Sequence, residues 1–303
     1  MEPDGDRRET WLLLGFGEAA AGFVAAGLPL GAHVSVYVPA DRPPSDATQH
    51  RLGAHGLIAT LDPSDVTRAS VVVSLVTPDA ATDVAEGVAP FLRPGAFYVD
   101  MNSISGETAV CIAAIVEGRG ARFVDAAVMG PVPLMKLQVP IWLSGTSAEE
   151  FHALAATRGL ATAVISSRAG DASSLKMLWS VMTKGTIALL AESLTAARRL
   201  GLLEPLLGLL KQEYGNTGTP AMIMRMLRST AVSGGRRLEE MGGARRTLDA
   251  AGVPAWTVEA TMRWIAALNG MPRIAEAETV PEVVEAVSNG LGTPLGAQTT
   301  PSS

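Results

Sequence analysis

Short, unbroken apolar runs punctuate the first half of the chain. "WLLLG", "AHVSVYV", "ASVVVSLVT", "GAFYVDMNS", "ARFVDAAVM" and "VPIWLSG" each read as a buried strand, the third unusually rich in β-branched residues. Between them lie stretches of good helix formers: "EAAAGFVAAGL", "DAATDVAEGVAPFL" and "GETAVCIAAIVEGRG". Asp79 or Thr77 stands where a cap for the second of these helices belongs. Prolines in "DRPPSD" break the chain after the second strand. Apolar strands alternating with helices predict right-handed βαβ units. The expected fold is therefore α/β: a doubly wound, mostly parallel sheet of Rossmann type, covered on both faces.

The pattern changes near residue 167. "DASSLKMLWSVMTKGTIALLAESLTAARRLGL" is one long helical signal, and "EPLLGLLKQEYG", "TPAMIMRMLRSTAVSGGRRLEEMGGARRTLDAAGV" and "AWTVEATMRWIAALNG" continue it. Two domains are expected, a sheet domain over 1–167 and an all-α domain over 168–303. "GLGTPLGAQTTPSS" reads as a loose tail.

The first strand runs into "GFGEAA", a G-x-G-x-x-A turn that opens a helix. In that setting Gly15 permits a tight turn and Gly17 lets the backbone approach a pyrophosphate. Ala20 keeps the helix close to the strand. Phe16, Glu18 and Ala19 complete the turn, and the helix N-terminus offers free N–H groups to phosphates. The pattern alone also fits a small-residue contact between strand and helix, but the flanking elements point to a dinucleotide. An acid after the second strand would bind the ribose hydroxyl of NAD, whereas an arginine accommodates the extra phosphate of NADP. Val38 occupies the acid's place, Asp41 comes late and Arg42 follows, so NADP(H) is expected over NAD(H). Val76, Thr77 and Pro78, and then Asn102 and Ser103, follow strands and so belong to the edge where open α/β sheets bind ligands.

Charge and composition narrow the partners. A net charge of −6 and a pI near 5.3 argue against nucleic acid or an anionic membrane surface. No stretch reaches the length of a membrane span, and the polar start "MEPDGDRRET" has no signal-peptide core. The single cysteine, Cys111, allows no internal disulfide and is expected to pack in the core. It fits a cytoplasmic protein. The four histidines lack metal-ligand spacing, so no metal is expected.

"GFGEAA", "YVDMNS", "FVDAAVMGPVP", "LKMLWSVMTKGTIALLAE" and "RRLEEM" come in the order seen in the β-hydroxyacid dehydrogenases. The chain resembles that family, which includes 6-phosphogluconate and 3-hydroxyisobutyrate dehydrogenases, up to about residue 270. Within it the chain looks closest to a branch with a distinct C-terminal helical domain.

The resemblance implies a homodimer, a small-molecule substrate in an interdomain cleft, and a lysine acid/base, which Lys176 matches. A lysine in "SSLKMLW" is partly desolvated, which favours its neutral form; a lysine snorkelling to solvent fits the same spacing. Ser103 matches the family's small hydroxyl. Met129, Gly130 and Pro131 stand where the family has Ser-Gly-Gly, so a more apolar pocket is expected. Ser180 replaces an asparagine, with Trp179 beside it and Thr183 two turns above Lys176. Of a run of glycines before the lysine only Gly170 remains, with Ser167 and Ala172 at the other places.

Lys184 and Glu192 lie farther round the same helix. "RRLEEMGGARR" reads as a solvated face, and Arg225 or Arg228 as a candidate grip for a substrate anion. Imine reductases share the architecture, often with Asp or Tyr at the lysine position. The lost glycines and asparagine also suit a cofactor-binding protein without turnover.

Overall fold

The computed structural model describes residues 10–28, 35–37, 44–60, 62–199, 201–214, 218–250 and 255–291. Val38, Asp41, Arg42 and the tail after Leu291 lie outside them. Among the described residues eight strands form one sheet: β1 (Trp11–Leu14), β2 (Ser35–Tyr37), β3 (Ile58–Thr60), β4 (Val71–Ser74), β5 (Phe97–Asp100), β6 (Arg122–Val128), β7 (Ile141–Ser144) and β8 (Thr162–Ser166). Their order is β3-β2-β1-β4-β5-β6-β7-β8. All neighbours are parallel except β6 and β7, which are antiparallel.

Each strand of the sheet centre is buried end to end because helices cover both faces. Leu13, Val73 and Val99 face one layer, with α1 (Glu18–Ala25), α5 (Val132–Met135) and α6 (Ala148–Ala156). Leu14, Val72 and Tyr98 face the other, with α3 (Ala81–Val88) and α4 (Gly106–Glu117). The sheet class and its parallel bias are as expected.

Several elements are additional. β3, α2 (Asp46–Ala54), α6 and β8 were not anticipated, so "ASVVVSLVT" forms the fourth strand and not the third. β3 has only three residues. β8 lies at the sheet's edge and alternates half-buried and exposed positions, without the continuous apolar run of a central strand. Helix α3 begins at Ala81, and its N-cap residue is Ala80, which has no side chain to cap it. Cys111 is exposed, contrary to expectation. The buried stripe of α4 is Ala109, Ile112, Ala113 and Val116, and helical spacing turns Cys111 away from it.

The chain forms two compact units, 1–177 and 178–303. Helix α7 (Asp171–Arg199) runs from one into the other, and its first two turns belong to the sheet unit. The second unit holds α8 (Leu203–Tyr214), α9 (Thr219–Ala250), α10 (Trp256–Leu268), α11 (Pro272–Glu276) and α12 (Val280–Gly290). Its core includes Ile187, Leu194, Ile223, Leu227, Leu268 and Val283. α9 is kinked at Ser233. "RRLEEM" is not a purely solvated face. Glu240 is buried and pairs with Lys184 at 2.8 Å and Arg236 at 2.7 Å, and Arg237 donates to Ser229 and Thr230. A buried carboxylate needs such partners to offset its lost hydration.

Gly170 has φ +88°, and a Cβ there would meet the carbonyl oxygen of Gly106 at 2.5 Å. The starts of α4 and α7 thus touch backbone to backbone. Gly170→Ala is expected to lose about 2–4 kcal/mol of stability in urea titration. Gly53→Ala, in open space within α2, should be neutral or slightly stabilising.

Candidate active site

Strand order reverses between β1 and β4, the switch point where such sheets bind ligands. Gly15 follows β1 with φ +84°, and a Cβ there would meet Leu75 O at 2.7 Å and Val76 Cγ1 at 2.8 Å. Only glycine lets these two loops meet. Gly17 caps α1 with no side-chain hydrogen bond, and a Cβ on it would point into open space. The first amides of α1 therefore have no side-chain competitor, and the space in front of Gly17 is clear. These residues suit a dinucleotide diphosphate.

Ala20 is fully buried, and Gly22 lies against Val132, where a Cβ would sit 2.9 Å from Val132 Cγ1. The Phe16 side chain is buried edge-to-face against His55, so only its main chain is left for a ligand. Glu18 is exposed and Ala19 half-buried.

Asn102 ties the neighbouring loops together. Its Oδ1 accepts from Val76 N at 2.7 Å, its Nδ2 donates to Ser74 Oγ at 2.9 Å, and its own N–H donates to Asp100 Oδ1 at 2.9 Å. The side chain is buried, which makes it a brace for the Val76 loop. Thr77 is exposed and Pro78 half-buried. Ser103 is half-buried beside them, and Ser105 caps α4 by accepting from Thr108 N.

Across the same edge runs a row of buried polar residues. Ser74, Asp100, Asp125 and Ser144 pair in register on β4, β5, β6 and β7, all at most 1% exposed. Asp125 anchors the start of α7. Its carboxylate accepts from Ser173 Oγ at 2.6 Å, Ser173 N at 3.0 Å and Ser144 Oγ at 2.9 Å. Ser144 Oγ in turn accepts from Ala172 N at 2.9 Å. Burial pushes the Asp125 carboxyl above the usual range, and these hydrogen bonds oppose the push.

Asp100 has fewer partners, since its Oδ2 is buried without a hydrogen bond. Burial pushes its carboxyl up to about 7; its bonds with Asn102 lower it, the charge of Asp125 raises it, and the charge of Lys176 lowers it. Lys176 is half-buried on the second turn of α7, three residues past Ser173. Asp100 and Asp125 escaped the sequence reading. Their signal was there, as one acid inside each of two apolar strands, "FYVD" and "RFVDAAV".

The remaining candidates are more scattered. Met129 is half-buried with its N–H on Pro140 O, while Gly130 and Pro131 are exposed. In the helical unit Trp179 is 55% exposed. Ser180 is buried and accepts from Lys184 Nζ at 3.3 Å, so it is held by a neighbouring charge. The Thr183 hydroxyl donates back to Trp179 O. Arg228 donates to Ala275 O and so braces α11, while Arg225 is exposed. The Glu192 side chain lies outside the described residues. No described helix is long and apolar enough to cross a membrane.

Residues 17–158 match the family described as the NAD binding domain of 6-phosphogluconate dehydrogenase. The chain belongs to this NAD-binding dehydrogenase family. Within the family, residues 197–268 match a domain of unknown function, DUF1932, which marks the branch with its own helical domain. An uncharacterized 28.5 kDa protein of Methanothermus fervidus is 33% identical over 176 residues, 58% of this chain and 66% of that protein. The cytokine-like nuclear factor N-PAC of Danio rerio is 28% identical over 130 residues, 41% of this chain and 28% of that protein. The chain thus spans less than two thirds of these curated relatives.

Among solved structures, the conserved protein MTH1747 is described as similar to 3-hydroxyacid dehydrogenases. It is 35% identical with a TM-score of 0.67, over 86% of this chain and 96% of that one. Mycobacterium tuberculosis 3-hydroxyisobutyrate dehydrogenase with L-serine shares the fold at 20% identity and a TM-score of 0.72, over 94% of this chain and 99% of that one.

The raised Asp100 carboxyl makes stability depend on pH. The unfolded carboxyl loses its proton near 3.8, the folded one near 7. Between these values the folded state holds the extra proton, so stability is fully present below pH 3.8 and drains away as pH rises towards 7. Asp100→Asn removes this loss. The variant is expected to gain on wild type between pH 4 and 8, by up to about 4 kcal/mol, in denaturant titrations at several pH values. A constant difference across that range would contradict the burial of an ionisable Asp100.

Proposed function

We propose that the protein is an NAD(P)-dependent oxidoreductase, with NADP(H) preferred, that interconverts a hydroxyl and a carbonyl on a small, hydroxyacid-like substrate. One observation carries this reading. Along the carboxyl edge of one sheet stand an open, uncapped helix start behind Gly17 and, on the anchored start of α7, a half-buried lysine.

Gly15, Gly17 and the first amides of α1 hold the diphosphate, with Val76 braced by Asn102 beside them. A bound nicotinamide supplies or accepts the hydride. Neutral Lys176 takes the hydroxyl proton in oxidation, and its ammonium returns a proton to the carbonyl oxygen in reduction. Ser103 offers a hydroxyl to the same oxygen. Met129 replaces a family serine and favours a substrate less polar than a phosphosugar. Val38 and Arg42 support NADP(H) through sequence alone. Lys176 favours C=O over C=N chemistry, and imine reduction on the same fold is the alternative. Leu178, Met182 and Leu189 form an exposed apolar stripe on α7, with Trp179 beside it, and suit a homodimer contact.

NADPH fluorescence titration tests cofactor binding, and a panel of hydroxyacids, carbonyls and imines read at ~340 nm tests turnover. Lys176→Met is expected to cut kcat by about 10²–10⁴-fold while leaving NADPH affinity nearly intact. Gly17→Val is expected to abolish NADPH binding by filling the space a diphosphate needs. Binding without turnover on every substrate would instead support a cofactor-binding protein that has lost its chemistry.

A further inference from the structure

Asp100 is a buried ionisable group that the reaction just described does not use. It sits at the carboxyl end of β5, 1% exposed, in register with Asp125 on β6 and Ser74 on β4. Adjacent strands lie about 4.8 Å apart, so the two carboxylates are close neighbours. Asp125 has its oxygens filled by Ser173 and Ser144, whereas Asp100 Oδ2 has no hydrogen bond.

The Asp125–Ser173 bonds also fix the rotation of α7. Residues three apart on a helix share a face, so Lys176 stands on the side that Ser173 turns towards the acid pair. The titratable groups acting on Asp100 are Asp125 from β6, Tyr98 on its own strand and Lys176 from α7; β4 presents only the uncharged Ser74.

We propose that Asp100 is a positioning residue for Lys176, its buried carboxylate supplying the counter-charge that holds the amine in its protonated, proton-donating form. The proposal rests on the acid/base reading of Lys176 given above. Its physical basis is reciprocity. A charge on Lys176 favours ionised Asp100, so ionised Asp100 favours the ammonium by the same free energy. No proton need pass between them. Asp125 is unsuited to this part because its oxygens are engaged by the helix start. Asp100, with one oxygen unengaged, is the carboxylate whose charge is least neutralised by bonds. As pH falls through the range where Asp100 takes up a proton, the hold on the ammonium weakens. The two groups therefore titrate as a coupled pair.

The test reads the amine directly and does not depend on turnover. Lysines in the full-length protein are reductively ¹³C-dimethylated, and the Lys176 resonance is assigned by its loss in Lys176→Arg. In wild type, that resonance is expected to show a second, smaller inflection where Asp100 titrates. In Asp100→Asn, the inflection should vanish and the amine midpoint should fall. Asp100→Glu, which restores the charge, should bring the midpoint back part of the way.

A single Lys176 transition with the same midpoint in wild type and Asp100→Asn would overturn the proposal. If Asp100→Asn does not fold, absence of the second inflection in wild type alone overturns it. Should the protein turn over substrate while these titrations are uncoupled, only this inference falls. Coupled titrations in a protein with no turnover would leave the pairing standing and remove the acid/base reading.

Discussion

A carboxylate at the start of a helix organises this site. Asp125 lies inside the sheet, yet it accepts from the backbone and hydroxyl of Ser173 and from Ser144, whose oxygen takes the N–H of Ala172. Removing a charge from water is costly, and three hydrogen bonds together with the positive end of a 29-residue helix offset that cost. The bonds fix both the position of the first turn of α7 and its rotation. Lys176 follows three residues later, so its place relative to the sheet edge depends on how Asp125 holds the first turn of the helix.

Close backbone approach performs the matching task around that edge. Gly15 lets the loop after β1 meet Leu75, Gly22 lets α1 lie on Val132, and Gly106 and Gly170 bring the starts of α4 and α7 together. Asn102 adds hydrogen bonds where no glycine is used, holding the Val76 amide and Ser74. The carboxyl edge is thus held by contacts that leave little room for side chains. Gly17 differs from these four, since a Cβ there would meet nothing, which leaves the space before the first turn of α1 clear.

Much of this was legible in the sequence. Continuous apolar runs reported β1, β4 and β5 because those strands are buried on both faces. The glycine turn was readable because its demands are local. β8 was not, since an edge strand with alternating exposure lacks such a run. The Asp125–Ser173 anchor was hidden for a different reason. Its partners are 48 residues apart, and an acid within "RFVDAAV" resembles a strand end until the fold supplies the helix it holds. "RRLEEM" misled because Glu240 alternates with charges that truly face water, while its own partner Lys184 lies on another helix.

The departures from the family pattern around Lys176 weigh less than they did as sequence. The resemblance implies glycine at three positions before the lysine, and here they are Ser167, Gly170 and Ala172. Only Gly170 has positive φ and a neighbour that excludes a Cβ. Ala172 is wholly buried, and its N–H is held by Ser144, so a methyl group there is accommodated without backbone strain. Ser167 is exposed, with ordinary negative φ. Of the three, geometry therefore demands glycine only at 170, and the residue there is Gly170. The exchange of asparagine for Ser180 differs in kind, because Ser180 is buried and engaged by Lys184 within the ion-paired helical core. The helix start that bears Lys176 is therefore held by glycine packing and by the Asp125 and Ser144 hydrogen bonds, whereas Ser180 belongs to the polar network of the helical unit.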